Sequence, residues 1–358
     1  ELAYEHRADF LDAYGVAKEE GLGKYAIILG LPAFKIVLPD YYAALDLEGY
    51  TYEDLKADAQ IAIEIAKRAV DSQLLDVLRH RGAAVIDFAK AVEDAEFIAS
   101  KAFGMQILGN DNLERLTQLV LERHVYGKSF KGIGTYNFEF DFSQIDAAAD
   151  LEVLADIALE VVAILENEGI TTLGEVRARA NLASAKAIVA NEVNLEHFAN
   201  MMELVSQLTV VQTNATNIWN NFVMPNLEAT RFAKYAKYVS YEGATDAQLV
   251  EELAIGADIV RALNGLGIVS VYYGNAIDYD QAAEVEALLA LIGQLNYFEI
   301  NNEKIYNFVS RKVTDNGGVM FGIEEFTIAS DLAKFGKVYA ELVHFLTDAE
   351  FPFTTLNQ

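Results

Sequence analysis

Hydrophobic residues recur along the chain at a helical spacing that follows an acidic residue. After Asp54, the apolar side chains of Leu55, Ile61 and Ile65 stand at positions that fall on one face of an α-helix. A carboxylate in the first turn stabilises the start of a helix. The spacing therefore predicts further opening helices after three more acidic residues: Asp150 with Leu151, Ile157 and Val161; Glu252 with Leu253, Ile259 and Leu263; Asp331 with Leu332, Val338 and Leu342.

An asparagine precedes a second apolar run later in each interval. Asn214 stands four residues before Ile218, and Asn301 stands four residues before Ile305. Asn112 is the matching residue of the first interval. Because asparagine is a good helix cap and a poor helix-interior residue, we expect each of these residues to begin a helix.

Short aromatic segments precede the opening helices. Tyr136–Phe142 alternates aromatic and polar residues, a period of two that predicts a half-buried strand. Phe34–Tyr42, Tyr235–Tyr241 and Val319–Phe326 are weaker segments of the same kind. Only four prolines occur in 358 residues, which favours helix elsewhere. The predicted fold is mainly α: an α-helical repeat array of about three units, with short extended aromatic segments between units.

The recurrence has a period of about 80 to 100 residues, which is typical of a repeat array with insertions in its loops. Full units are predicted at residues 51–145, 146–243 and 244–325. Residues 1–50 are predicted to be the end of a preceding unit, and residues 326–358 the start of a following one. Since repeat units bury their apolar faces on neighbours, we expect the chain either to be cut from a longer array or to dock its partial units onto other copies.

Composition and charge narrow the classes of partner. The chain carries 54 Asp and Glu against 27 Lys and Arg, a net charge of −27, which argues against nucleic acid and anionic membrane surfaces as partners. The absence of cysteine excludes disulfides and thiolate metal sites. The longest apolar run, Ala26–Leu38, is too short and too interrupted to predict a membrane-spanning segment. Because the chain opens with Glu1 rather than Met, we expect a removed export signal or a longer parent protein.

One region has a characteristic order of helix, loop and apolar run. Ala247–Val313 combines an acidic helix, a short loop with Gly267-Ile268, and Ile277-Asp278 before the apolar run Ala283–Leu291. This sequence pattern resembles the helical-repeat segments of uncharacterised exported surface proteins of Gram-positive or wall-less bacteria. The second unit departs from it at Thr171–Ala180, where the loop is longer and more basic. The resemblance implies a location and a class of protein, and it transfers no site residues.

Oxygen-rich clusters are the candidate ligand sites. Calcium binds six to eight oxygen ligands. One cluster lies at residues 110–114 and the other begins at residue 278, and neither has the glycine and glutamate positions of an EF-hand loop. Helix capping is the favoured interpretation, with Ca²⁺ as a possible cofactor and no other cofactor expected. The candidate metal ligands are Asn110, Asp111, Asn112, Glu114, Asp278, Asp280 and Glu284.

Catalytic signatures are missing from the sequence. None of the five histidines has a second histidine one turn away, and no HExxH, GxSxG or complete phosphate-binding loop occurs. The abundant Tyr and Phe residues suit a core or an interface, and they also suit a platform on which sugars stack. No catalytic residue is therefore predicted. The histidines are His6, His80, His124, His197 and His344.

The favoured hypothesis is a non-enzymatic structural or interaction protein. It is an extracellular or cell-surface helical scaffold that self-associates or adheres, as a spacer, an adhesin or a subunit of a surface layer or filament. Its predicted partners are other copies of itself or surface proteins, and its predicted self-association residues are Leu332, Phe335 and Val338. Two alternatives stay open: a module that binds Ca²⁺ or glycans, and an enzyme whose site is assembled from distant residues.

Overall fold

The structure is a computed structural model, and it describes residues 39–74, 85–109, 111–120, 144–179, 191–225, 240–267 and 282–348. Within these ranges the side chains of residues 118, 120 and 346–348 are not described. The described chain is mainly α, as the sequence predicts, and it contains no strand.

Every described range contains at least one helix. Two 3₁₀ turns, Gln106–Leu108 and Ile323–Glu325, and one π turn, Trp219–Val223, join helices. The helices are α1 (Pro39–Ala44), α2 (Tyr52–Asp71), α3 (Phe88–Phe103), α4 (Asn112–Val120), α5 (Ala147–Asn167), α6 (Leu173–Arg179), α7 (Glu192–Gln207), α8 (Thr209–Ile218), α9 (Asp246–Gly265), α10 (Ala282–Ile292), α11 (Asn296–Ile300), α12 (Asn302–Asp315) and α13 (Ile328–Asp348).

The chain divides into two compact units. The first comprises Glu1–Leu159 and Ile170–Ala178, and the second comprises Glu160–Gly169 and Arg179–Gln358. In the first unit α2 packs on α3 and on the 3₁₀ turn that follows α3, and α1 packs on α4. In the second unit α9 packs on α7, α8, α10 and α11, while α13 packs on α10 and α11.

Capping boxes fix the starts of α2 and α9. Thr51 Oγ1 accepts the Asp54 N–H at 3.3 Å, and Asp54 Oδ2 accepts the Thr51 N–H at 2.8 Å. Thr245 and Gln248 form the same box at the start of α9, with N···O distances of 3.3 and 3.0 Å. A glycine with φ of 78° or 85°, Gly49 or Gly243, precedes each threonine by two residues and turns the chain into the helix.

The helix-opening acids occupy two kinds of position. Asp54, Asp150 and Asp331 lie in the first turns of α2, α5 and α13, as predicted. Glu252 does not, because α9 begins at Asp246 and Gln248 is the residue that completes its capping box. The predicted alignment of the Glu252 copy is therefore wrong by one helical turn, since acidic and apolar residues recur in successive turns of this helix.

Two of the predicted extended segments are wrong where the structure describes them. Residues 39–42 of the Phe34–Tyr42 segment lie in α1, and Val319–Phe326 is a loop that contains the 3₁₀ turn Ile323–Glu325. The β-type pairing in the described ranges is a single antiparallel bridge between Val85 and Thr172. Tyr136–Phe142 and most of Tyr235–Tyr241 lie outside the described residues.

Among the described helices, none is both long enough and apolar enough to cross a lipid bilayer.

Candidate functional site

Buried polar side chains hold α2 to the segment that follows α3. Asp58 is almost fully buried on α2, and its Oδ1 accepts the first N–H of the 3₁₀ turn at 2.6 Å. Its Oδ2 accepts the Ile107 N–H at 2.8 Å and the Tyr50 hydroxyl at 2.8 Å. A carboxylate from one helix thus caps the start of another element. We call Asp46, Tyr50, Asp58, Ile107 and Asn112 the first polar junction.

The second unit contains the same arrangement on α9. Glu252 follows the capping Thr245 by seven residues, as Asp58 follows Thr51. Its Oε1 accepts the N–H of Tyr297, the second residue of α11, at 2.7 Å. We call Ser240, Tyr241, Glu252, Tyr297 and Asn301 the second polar junction.

Burial dominates the electrostatics of the two junctions. It raises the pKa of the Glu252 carboxyl, while the hydrogen bond from the Tyr297 N–H lowers it. The pKa of the Tyr241 hydroxyl is raised by burial and by the neighbouring charge of Glu252. Burial and the hydrogen bond to Asp58 likewise raise the pKa of Tyr50. Both tyrosines therefore stay protonated at physiological pH, as a hydrogen-bond donor requires.

A buried asparagine completes each junction. Asn112 Nδ2 donates to the Asp46 carbonyl at 2.7 Å and to the Ile107 carbonyl at 2.9 Å. Asn301 Nδ2 donates to the Ser240 carbonyl at 2.6 Å and to the Tyr297 carbonyl at 3.0 Å. In both cases the amide joins the start of a helix to the loop that precedes the opening helix of the same unit.

A third buried asparagine lies at the break inside α8. Asn214 has non-helical backbone angles, with φ −134° and ψ 17°, and its Nδ2 donates to the Val210 carbonyl at 3.1 Å. Asn301 donates to the carbonyl four residues before it in the same way. The sequence predicts a helix start at all three asparagines. Asn112 and Asn301 lie at helix starts, but the prediction is wrong for Asn214, which lies at the break inside α8, and the side chain of Asn301 makes no capping bond. Their amides bond instead to backbone carbonyls of preceding segments.

The structure describes four of the seven candidate metal ligands. Asn112 is committed to the first polar junction, Asp111 is exposed with φ 62°, and Glu284 is exposed at the start of α10. Glu114 lies in the first turn of α4. The described ranges hold no group of three metal-ligating side chains. Asn110, Asp278 and Asp280 lie outside the described residues.

His197 belongs to a polar network that sequence reasoning did not identify. Its Nδ1 lies 2.6 Å from Glu160 Oε2, and Asn200 Nδ2 donates to Glu160 Oε1 at 3.2 Å. Arg261 donates to Asn200 at 2.9 Å and to Glu203 at 2.6 Å, and the hydrogen bond to the Glu203 carboxylate raises the pKa of Arg261. The network joins residues of α5, α7 and α9. His197 therefore has a structural role in the contact between α5 and α7. His344 is exposed on α13, and the other histidines lie outside the described ranges.

A shallow, open depression in the first unit has few side chains that could bind or react with a ligand. Its volume is about 430 Å³, and its one carboxylate belongs to Asp146. Asp146 Oδ1 already accepts the N–H groups of Ala148 and Ala149 at 3.1 and 3.0 Å, so it caps α5. The depression lacks the converging polar groups that are typical of a ligand site.

The aromatic residues around α9 pack on each other. The rings of Trp219 and Tyr241 meet edge to face at 4.7 Å, and Tyr241 meets Tyr297 at 5.7 Å. Trp219 and Tyr241 also pack against the buried cluster of Ala215, Ala244 and Leu249. These aromatic side chains therefore form part of the core of the second unit.

An exposed apolar surface runs along α13. Phe335, Val338, Leu342 and Phe345 are 62%, 64%, 52% and 64% exposed, although all four are large and hydrophobic. We call these four residues the α13 stripe. Two of the predicted self-association residues, Phe335 and Val338, belong to it. The third, Leu332, is half-buried, and its position on the helix lies toward the packed side.

Comparison of the chain with protein-family models, with curated proteins and with solved structures found no match. The α13 stripe is therefore the candidate functional site on its own geometry, because it is the described surface with the most contiguous exposed apolar side chains on one helix face.

Proposed function

We propose that the protein is a non-enzymatic structural or interaction protein, a helical repeat scaffold that self-associates or adheres. The observation that carries this proposal is the α13 stripe. Water-exposed aromatic and aliphatic side chains in a row are costly for an isolated molecule and typical of a contact surface. Val338 is exposed at the place where the helical pattern of the opening helices requires an apolar residue.

The two polar junctions support the repeat organisation that we propose. Asp46, Thr51 and Asp58 are separated by the same intervals as Ser240, Thr245 and Glu252. The Asp46 and Ser240 carbonyls each accept a bond from a buried asparagine, and the Asp58 and Glu252 carboxylates each accept a backbone N–H of a short helical element. A shared spacing with shared hydrogen bonds is what duplicated modules produce. It supports modules that begin near α2 and α9, within the proposed units 51–145 and 244–325.

A location outside the cell, at a surface, is part of the proposal. It rests on the resemblance of Ala247–Val313 to repeat segments of exported surface proteins and on the acidic, cysteine-free composition. A strong net charge keeps such a scaffold in solution before its apolar surfaces bind a partner.

Sedimentation velocity of the purified chain over a wide concentration range tests self-association. We expect larger species to grow with concentration, and we expect Phe335→Asp and Val338→Asp to reduce them while the circular dichroism stays unchanged. Phe308→Asp is the matched control, because Phe308 is 60% exposed on α12 and lies outside the α13 stripe. A monodisperse monomer at the highest concentration contradicts self-association.

A further inference from the structure

Helix α13 has two apolar faces on roughly opposite sides. Gly336, Ala340 and Val343 are buried, and α10 covers this face. The backbones approach closely there, since a Cβ on Gly336 would lie 3.2 Å from Glu286 Cα. At 3.6 residues per turn, the α13 stripe points about half a turn away from this packed face. One face of α13 therefore holds it in the second unit, and the other is left for a partner.

The stripe has the spacing of a coiled-coil seam. Successive members are separated by three, four and three residues, which places Phe335 and Leu342 at a positions and Val338 and Phe345 at d positions of a heptad. Such a seam interlocks best with another α-helix of the same spacing. Residues at the b and f positions, Gly336, Ala340 and Val343, face α10, so a second helix can pack on the seam without disturbing the fold.

Local charge selects the kind of helix that fits. The exposed residues that flank the stripe include Lys334, Lys337 and Glu341, so this face is close to neutral in a chain with a net charge of −27. Lys334 is paired with Asp331 at 3.3 Å, so the charges beside the seam balance each other and do not favour a strongly charged partner of either sign. An equally neutral seam brings no like charges into the centre of the contact. A second copy of α13 presents both the required spacing and the required charge.

We propose that α13 of one copy pairs with α13 of a second copy through Phe335, Val338, Leu342 and Phe345, in a contact that uses the same surface on both copies. This proposal rests on the proposed function, since it names the partner of the α13 stripe. A seam of about three helical turns is short compared with stable coiled coils, so the pair should form reversibly and depend on protein concentration.

Introduced cysteines test the pairing directly, because the chain contains no cysteine of its own. Val338→Cys and Leu342→Cys are prepared separately, then oxidised or treated with a short bismaleimide, both alone and as a mixture. If the two helices are parallel, each of the two positions lies beside the same position of the second copy. If they are antiparallel about the centre of the stripe, position 338 of one copy lies beside position 342 of the other. We therefore expect covalent dimers in at least one of these samples, and far fewer from the exposed control Phe308→Cys.

Sedimentation of charge variants supplies the matching equilibrium measurement. Phe345→Asp should raise the dimer dissociation constant at least about tenfold, while Phe308→Asp should leave it unchanged. Added salt should strengthen the dimer, because salt screens the repulsion between two chains of charge −27. Association with a cationic partner would weaken with salt instead.

The outcomes separate the two proposals. Larger species whose formation does not depend on the α13 stripe, with no excess cross-linking over Phe308→Cys, overturn the α13 pairing and leave the scaffold proposal standing. A monomer at every concentration and salt overturns both self-association and the pairing. Stripe cysteines that react fully with a small maleimide in the monomer, yet never cross-link, likewise overturn the pairing.

Discussion

The buried amide of Asn301 donates to the Ser240 carbonyl at 2.6 Å and thereby joins the start of α12 to the loop before α9. Asn112 and Asp46 have the same relationship in the first unit, where the Nδ2···O distance is 2.7 Å. Both carbonyls belong to loop segments that lack a helical partner for them. The asparagines thus supply a donor to the backbone carbonyls of two half-buried loop residues, Asp46 and Ser240.

Replacing Asn301 with alanine should destabilise the second unit. The change removes the donor of the Ser240 carbonyl, while the Tyr297 carbonyl keeps the backbone N–H of residue 301, and it should lower the free energy of unfolding by about 1 to 2 kcal/mol. Urea denaturation followed by circular dichroism measures this loss. Asn307→Ala on the same helix is the matched control, because Asn307 is exposed, and it should cost much less. Equal losses for the two variants would show that the buried bonds contribute nothing.

Removing the capping hydroxyl of Thr51 should shorten or weaken α2. Thr51→Ala deletes the acceptor for the Asp54 N–H and should cost about 1 kcal/mol of unfolding free energy. Thr51→Ser keeps the hydroxyl and should stay close to the original stability. Thermal denaturation of the two variants side by side measures the difference. If serine proves as harmful as alanine, the capping box is not the source of the effect.

The carboxyl of Glu252 should make stability depend on pH in a defined direction. Its folded pKa lies above the unfolded value, so its contribution to stability is fully present below the unfolded pKa and is lost as the pH rises through the folded pKa. Glu252→Gln does not titrate, and it should lose less stability than the original chain between about pH 4 and pH 7. Denaturation midpoints across this range measure the two slopes.

Asp54 supplies a control of opposite sign for the pH experiment. Hydrogen bonds from Thr51 lower its pKa, so its contribution is present above the unfolded pKa and is lost as the pH falls through the folded pKa. Asp54→Asn should therefore flatten the acid side of the stability profile. Parallel profiles for the original chain and Glu252→Gln would contradict the assignment to Glu252.

Two helical glycines should respond differently to a methyl group. In Gly336→Ala the new Cβ would press on backbone atoms of Glu286 at 3.2 and 3.3 Å. This overpacking, which costs about 1 to 3 kcal/mol, should outweigh the gain in helix propensity of about 1 kcal/mol, so we expect a net loss of stability. In Gly256→Ala the Cβ would meet Met202 Cε at 2.8 Å, the end of a flexible side chain that can move away. The gain in helix propensity, about 1 kcal/mol, should then leave Gly256→Ala as stable as the original chain or more so. Melting temperatures compare the two.

Local patterns in the sequence predicted the helical class and several helix starts. The first-turn acids Asp54, Asp150 and Asp331 were placed correctly, because a carboxylate followed by apolar residues at helical spacing is a local signal. Glu252 was misplaced by a turn because α9 carries acidic residues in neighbouring turns. The capping box Thr245-x-x-Gln248 would have placed the start of α9 correctly.

The polar junctions could not be predicted from local patterns. Asp58 is one of 54 acidic residues, and its partner at Gln106 lies 48 positions further along the chain. The signal that was available is the shared interval of seven residues from Thr51 to Asp58 and from Thr245 to Glu252. The exposure of Phe335 and Val338 was expected for a docking surface, but which side of α13 packs on α10 depends on Gly336 and its close backbone contact.

The starts of two short elements depend on carboxylates that come from elsewhere in the chain. Neither the 3₁₀ turn Gln106–Leu108 nor α11 has a capping side chain of its own, and Asp58 and Glu252 accept their N–H groups. Since helix nucleation is unfavourable without such help, we expect these turns to become ordered after α2 or α9 has formed. Folding within each unit would then have a direction, in which a long helix forms first and the short segments downstream follow it.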